Sequence, residues 1–92
     1  GEGIARDDKE AIKWYKLSAE QHITGAQSNL GLMYERGLGV AQNYIEAHKW
    51  FNIAGIKESK IGHKNVTTVE KKMTPSQIII AAGLAREWLE KF

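Results

Sequence analysis

The sequence predicts an all-α fold of about five helices built by internal repetition, and three observations predict it. Residues 1–19, GEGIARDDKEAIKWYKLSA, lie over residues 37–55, GLGVAQNYIEAHKWFNIAG, without a gap at an offset of 36, and seven of the 19 pairs are identical. Helix-start signals recur along the chain at Asp7, Thr24, Asn43 and Thr74, each followed three residues later by Glu or Gln, the spacing that satisfies unpaired backbone N–H groups at a helix start. The apolar residues after each cap recur at three- and four-residue intervals, which places them on one face of a helix. A fixed period of this length marks stacked helical units that bury their apolar faces against neighbours.

The first helix begins after Asp7, with Ala11, Trp14, Tyr15, Ser18 and Ala19 on its expected buried face. Thr24-x-x-Gln27 opens a second helix from about Gly25 to Arg36, with Ala26, Leu30, Met33 and Tyr34 on one stripe. Gly37 ends it, since glycine adopts the left-handed cap conformation at no steric cost, and Gly39 keeps the following turn tight. A third helix follows Asn43 and repeats the first face as Ala47, Trp50, Phe51, Ala54 and Gly55. Trp14 and Trp50 are thereby expected to be equivalent residues that fill the space between helical layers.

After residue 55 the repeat weakens. Gly62, Val66, Val69 and Met73 align at the same offset with Ala26, Leu30, Met33 and Gly37, which places a fourth helix near residues 60–72 despite the β-branched run Val66-Thr67-Thr68-Val69. Thr74-Pro75-Ser76-Gln77 combines a Thr cap, Pro at the first helical position and Gln three residues after the cap. A long terminal helix follows to about Lys91, with Ile78, Ala81, Ala82, Ala85, Trp88, Leu89 and Phe92 on its expected core side.

Leu30, Gly31, Tyr34, Gly37, Gly39 and Val40, together with Glu46 to Phe51 (Glu-Ala-His-Lys-Trp-Phe), make a pattern that resembles the Sel-one-like repeat (SLR) family, relatives of the tetratricopeptide repeats. The resemblance covers residues 1–55 by motif, and the segments 73–77 and 84–89 look like the capping helix that ends many bacterial members. It implies an α-α solenoid of antiparallel helix pairs coiled into a right-handed superhelix, acting as a non-catalytic adaptor between proteins. On this reading residues 1–22 are a partial repeat, 23–58 a full repeat, 59–73 a degenerate repeat helix and 74–92 a capping helix. The chain departs from the family pattern in its third repeat, where Thr67 stands in the place of Gly31 and Glu70 in the place of Tyr34.

Composition narrows the function classes. The chain has 92 residues, 42% of them hydrophobic, with no Cys and no apolar run near the ~18 residues a membrane span needs, so it reads as one domain with no membrane span. Thirteen Lys plus Arg against eleven Asp plus Glu leave a net charge of +2, too little to make nucleic acid the main partner. His22, His48 and His63 are never spaced as a metal-binding pair and there is no thiol to join them, so no metal site is expected and the three read as surface or loop residues. Gly1-x-Gly3 and Gly37-x-Gly39 lack the preceding strand and following Lys of a phosphate loop. No nucleophile motif or apolar carboxylate pair is present, and Asn65-Val66-Thr67 is a formal glycosylation triplet inside an expected helix. The chain is therefore read as not an enzyme, with no cofactor. It begins at Gly1 without Met, as expected of a segment excised from a longer one, and its compartment stays open.

Two surfaces stand out. With Leu30 at the centre of the buried stripe, Ser28, Leu32 and Glu35 fall roughly 140–200° away at about 100° per residue, and their equivalents 36 residues on are Lys64, Thr68 and Lys71. In the related repeats the first helix of each pair lines the concave groove, so these six are the candidate contacts for a partner protein or peptide. Residues 47–92 carry eight basic and four acidic groups against five and seven in residues 1–46, which favours a partner with an acidic segment. On the terminal helix Ile79, Ile80 and Gly83 lie off the core side and are candidates for self-association as a homodimer; the alternative to the adaptor role is a structural or oligomerisation cap that self-associates through such exposed apolar helix faces.

Overall fold

The computed structural model describes residues 7–56 and 59–92, with side chains of the fourth helix described from residue 64 onward. Among the described residues five helices follow one another: α1 (Asp8–Glu20), α2 (Thr24–Arg36), α3 (Tyr44–Gly55), α4 (Ser59–Glu70) and α5 (Pro75–Lys91). No strand occurs among the described residues. The helices stack α1 on α2, α2 on α3, and both α4 and α5 on α3, giving an elongated body of 41 × 27 × 22 Å.

Caps start the helices largely as the sequence dictates. Asp7 Oδ1 accepts from the Glu10 N–H at 3.0 Å and Asn43 Oδ1 from the Glu46 N–H at 3.1 Å. At α5 the box closes both ways, with Gln77 N–H donating to Thr74 Oγ1 and Thr74 N–H donating to Gln77 Oε1. Thr24 departs from this. Ile23 holds the cap position of α2 without a side-chain bond, and the buried Gln27 side chain turns away to donate to the Ala19 carbonyl at 3.1 Å. The Ala19 carbonyl, which also accepts the His22 N–H at 3.0 Å, thus takes a second donor from Gln27, and this bond ties the end of α1 to α2. At the other end of α2, Gly37 takes φ +70° and Leu38 N–H reaches back to the Met33 carbonyl at 2.9 Å, the left-handed termination expected there. Gly39, at φ +74°, lies against the Asp8 carbonyl, and a side chain at this position would collide with that backbone.

Because α3 has neighbours on several sides, apolar residues around it are buried on two faces. One face places Trp50 and Ile53 in the main core with Ile12 and Ala19 of α1, Leu30 and Met33 of α2, and Ala85 and Trp88 of α5. Trp50 and Trp88 meet edge to face with ring centroids 5.3 Å apart, an arrangement that aromatic quadrupoles favour. The other face packs Ala47 and Phe51 on Val69 of α4, with Leu32, Tyr44 and Val66 around them. Gly31 allows this close approach, since a Cβ there would sit 2.6 Å from the Phe51 ring.

Trp14 is not the equivalent of Trp50. It is 61% exposed, whereas Trp50 is 5% exposed, and its indole N–H donates to Glu10 Oε1 at 3.1 Å on the helix surface. Helix α5 covers Trp50, while the corresponding side of α1 has no such cover among the described residues. Ile12 instead carries the burial in α1, with Ala11 and Tyr15 partly buried beside it. In α5 the core side narrows to Ala81, Ala85 and Trp88. Leu89 and Phe92 are exposed, and Phe92 is held by stacking on Trp88 at 5.3 Å.

His48 also departs from the surface reading. It is 2% exposed, and its Nε2 bonds to Glu70 Oε2 at 2.8 Å, joining α3 to the end of α4. His22 lies in the α1–α2 turn at φ +66°, with Nε2 2.6 Å from the Phe92 carbonyl and its ring 4.9 Å from Trp88. Gly1, Gly3 and the side chain of His63, each singled out in the sequence, lie outside the described residues.

Candidate partner-binding face

The side of α2 opposite Leu30 opens on two adjacent grooves. The first, about 360 Å³, runs between α1 and α2, and its walls are Ala11, Tyr15, Asn29, Leu32, Met33 and Leu38, with Asp8 and Arg36 at the polar end. The second, about 600 Å³, lies between α2 and α4. Leu32 and Arg36 line both, so the two grooves share one wall and form a continuous track across three helices.

Of the six candidate contacts, Leu32, Glu35, Lys64 and Thr68 line the second groove together. Ser28 is half-buried in α2 and Lys71 is exposed just past the end of α4, and neither is among the groove-lining residues. Leu32 is an anchor of limited reach, because part of its side chain packs against the Phe51 cluster. Arg36, Gln42, Asn65 and Lys72 also line this groove and escape a purely angular reading of α2. The period could have found three of them. Asn65 stands 36 residues after Asn29 and Lys72 36 residues after Arg36, and all four line the track.

The polar groups of the second groove are partly engaged with one another. Lys72 Nζ lies 3.4 Å from Glu35 Oε2 and 5.8 Å from the centre of the Tyr44 ring. Gln42 donates to the Glu35 carbonyl at 2.8 Å and fixes the loop against α2. Arg36 and Lys64 are exposed and have no ion-pair partner among the described residues. The groove therefore holds one neutralised acid–base pair and two unneutralised cations, with the amide of Asn65 between helices.

On α5, Ile79 is 72% exposed and Ile80 52% exposed. Among the described residues, its own helix aside, nothing lies within 4 Å of where a Gly83 side chain would begin, so packing among them does not require glycine there. No group of three His, Asp or Glu among the described residues is arranged to hold a metal ion, and no helix among them is long and apolar enough to cross a membrane.

Comparison with known proteins places this geometry in context. The Sel1 repeat family model matches residues 1–22 and 24–57. A sel1-like repeat-containing protein of Acanthamoeba polyphaga mimivirus is 42% identical over 53 residues, covering 58% of this chain and 9% of that protein. The chitin synthase regulator SKT5 of Saccharomyces cerevisiae is 36% identical over 55 residues, covering 60% of this chain and 8% of its own length. The crystal structure of a protective antigen from uropathogenic Escherichia coli strains, which displays an SLR fold, superposes on the whole chain with a TM-score of 0.90 at 35% identity, covering 20% of that antigen. The chain thus spans a fifth or less of the length of these relatives. Sel1 repeat proteins generally mediate protein–protein interactions, and their fold is typically a non-catalytic scaffold. The 36-residue period, the Gly37 and Gly39 turn, the five stacked helices and the model match agree: this chain belongs to the Sel1 repeat family, an all-α helical-repeat solenoid.

Proposed function

We propose that the chain is a non-catalytic interaction module that holds a peptide or partner domain on the track formed by α1, α2 and α4. The observation that carries this reading is the shared wall of the two grooves. Leu32 and Arg36 join an apolar slot to a polar one, the mixture of an anchor pocket and a hydrogen-bonding rim that peptide recognition uses. Leu32, Glu35, Lys64 and Thr68 are the central contacts, with Ser28 and Lys71 at the margin. Capture from a lysate of the source organism should lose a partner when Leu32→Glu, Lys64→Glu and Lys71→Glu are combined, with helicity unchanged by circular dichroism. A variant that retains every partner would contradict the reading.

The exposed Ile79 and Ile80 favour a second reading, in which α5 meets α5 of another copy about a two-fold axis and Gly83 lets the helices approach. Contact of this kind is compatible with partner binding, because α5 is not among the elements that line the track.

A further inference from the structure

The track repeats its chemistry. Asn29 and Asn65, and Arg36 and Lys72, are equivalent pairs at one repeat period: the two asparagines stand on α2 and α4, Arg36 ends α2 and Lys72 lies in the turn just after α4. The side-chain amides can donate to and accept from an extended backbone, whose polar groups point sideways at regular intervals. The basic residues offer donors and positive charge at matching positions. Lys72 is held by Glu35, which leaves Arg36 and Lys64 as the two cations of the α2–α4 groove without an ion-pair partner among the described residues. Arg36 stands on the shared wall and Lys64 on the opposite one.

Resting on the proposed binding face, we infer that the occupant of the α2–α4 groove is an extended peptide segment carrying at least two carboxylates, with an apolar residue before or after them that enters the slot between Tyr15 and Leu38. A carboxylate accepts two parallel bonds from Arg36 and a single charge-assisted bond from Lys64. A nucleic acid fits less well. The adjoining α1–α2 groove is lined largely by apolar residues, with Arg36 its one cation among the described residues, so a continuous polyanion would find fewer cations there than in the α2–α4 groove.

Selection of a displayed random dodecapeptide library on the 92-residue chain tests this, run in parallel on the Arg36→Glu/Lys64→Glu variant and on Arg36→Gln/Lys64→Gln, both checked for parent helicity. The parent should enrich sequences with paired acidic residues and one apolar residue, and the leading synthetic peptide should bind the parent at least tenfold tighter than either variant by fluorescence anisotropy. That advantage should shrink as salt rises. Enrichment of neutral or basic peptides, or equal binding of the acidic peptide to parent and variants, would overturn the acidic occupant while leaving the binding face standing, provided amide shifts on binding map to residues 28–36 and 64–72. Shifts confined to α5, or no enrichment over the bare support, would overturn the binding face itself. A single-stranded DNA oligonucleotide that displaces the peptide at equal charge concentration would overturn the inference in favour of nucleic acid.

Discussion

His48 in the middle of α3 and Glu70 at the end of α4 meet at 2.8 Å with the histidine sealed from solvent. Nε2 donates to the carboxylate, while the buried Nδ1 has no partner among the described residues. The pair fastens the helix that carries Lys64, Asn65 and Thr68 to the core helix behind it. At the equivalent position of the preceding repeat, Ile12 does the same work by apolar packing.

Removing the acceptor should therefore hurt more than its half-exposed position suggests. Glu70→Ala leaves a buried imidazole with both nitrogens unsatisfied and should cost about 1–3 kcal/mol, whereas Glu70→Gln keeps an acceptor in reach and should cost less. Urea denaturation of the two variants distinguishes them. Equal, negligible losses would mean that water satisfies His48.

The two tryptophans should behave unequally. Trp50→Ala empties the centre of the core and should cost about 3–5 kcal/mol, a large share of the stability of a fold this size. Trp14→Ala removes a surface residue and should stay within about 1 kcal/mol of the parent. Thermal unfolding of each variant measures both, and comparable losses would place Trp14 in the core.

Gly31→Ala should destabilise by about 1–3 kcal/mol, because the new methyl group forces the Phe51 ring and α3 away from α2. Gly83→Ala carries no such clash and should stabilise the isolated chain by about 0.5–1 kcal/mol through helix propensity. Measuring both melting curves under identical conditions gives the sign of each, and a stabilising Gly31→Ala would remove the close-approach argument.

The α5 surface yields a separate expectation. If Ile79, Ile80 and Gly83 form a contact between copies, light scattering across a wide concentration range should show the parent dimerising and Ile80→Glu remaining monomeric. A parent that stays monomeric, or an Ile80→Glu variant that still dimerises, would reject that contact.

The helices were legible because caps and periodicity act locally. Asp7, Asn43 and the Thr74 box start α1, α3 and α5 where their side chains can reach a backbone N–H three residues on, and Gly37 stops α2 for a conformational reason visible in one residue. Burial was less legible, because it depends on which helix lies opposite. Trp14 and Trp50 share a motif but not a neighbour, and His48 looked like a surface residue until Glu70, 22 positions away, supplied its partner. Thr24 and Gln27 had the spacing of a cap, yet Gln27 serves the end of the previous helix. For the binding face, helical angle from Leu30 reached Leu32 and Glu35 but not Gln42 in the loop or Arg36 at the helix end, whose place in the groove depends on the neighbouring elements and not on the angle around α2.

The central claim, that partners are held on the track across α2 and α4, is tested most directly by position-specific photo-crosslinking in the source cells. A photoreactive residue replaces Lys64 on the track or Lys13 on the exposed side of α1. The account predicts one dominant adduct from position 64 that disappears when Leu32→Glu is added, and none from position 13. Adduct formation at position 13 but not at 64, or an adduct at 64 indifferent to Leu32→Glu, would contradict it.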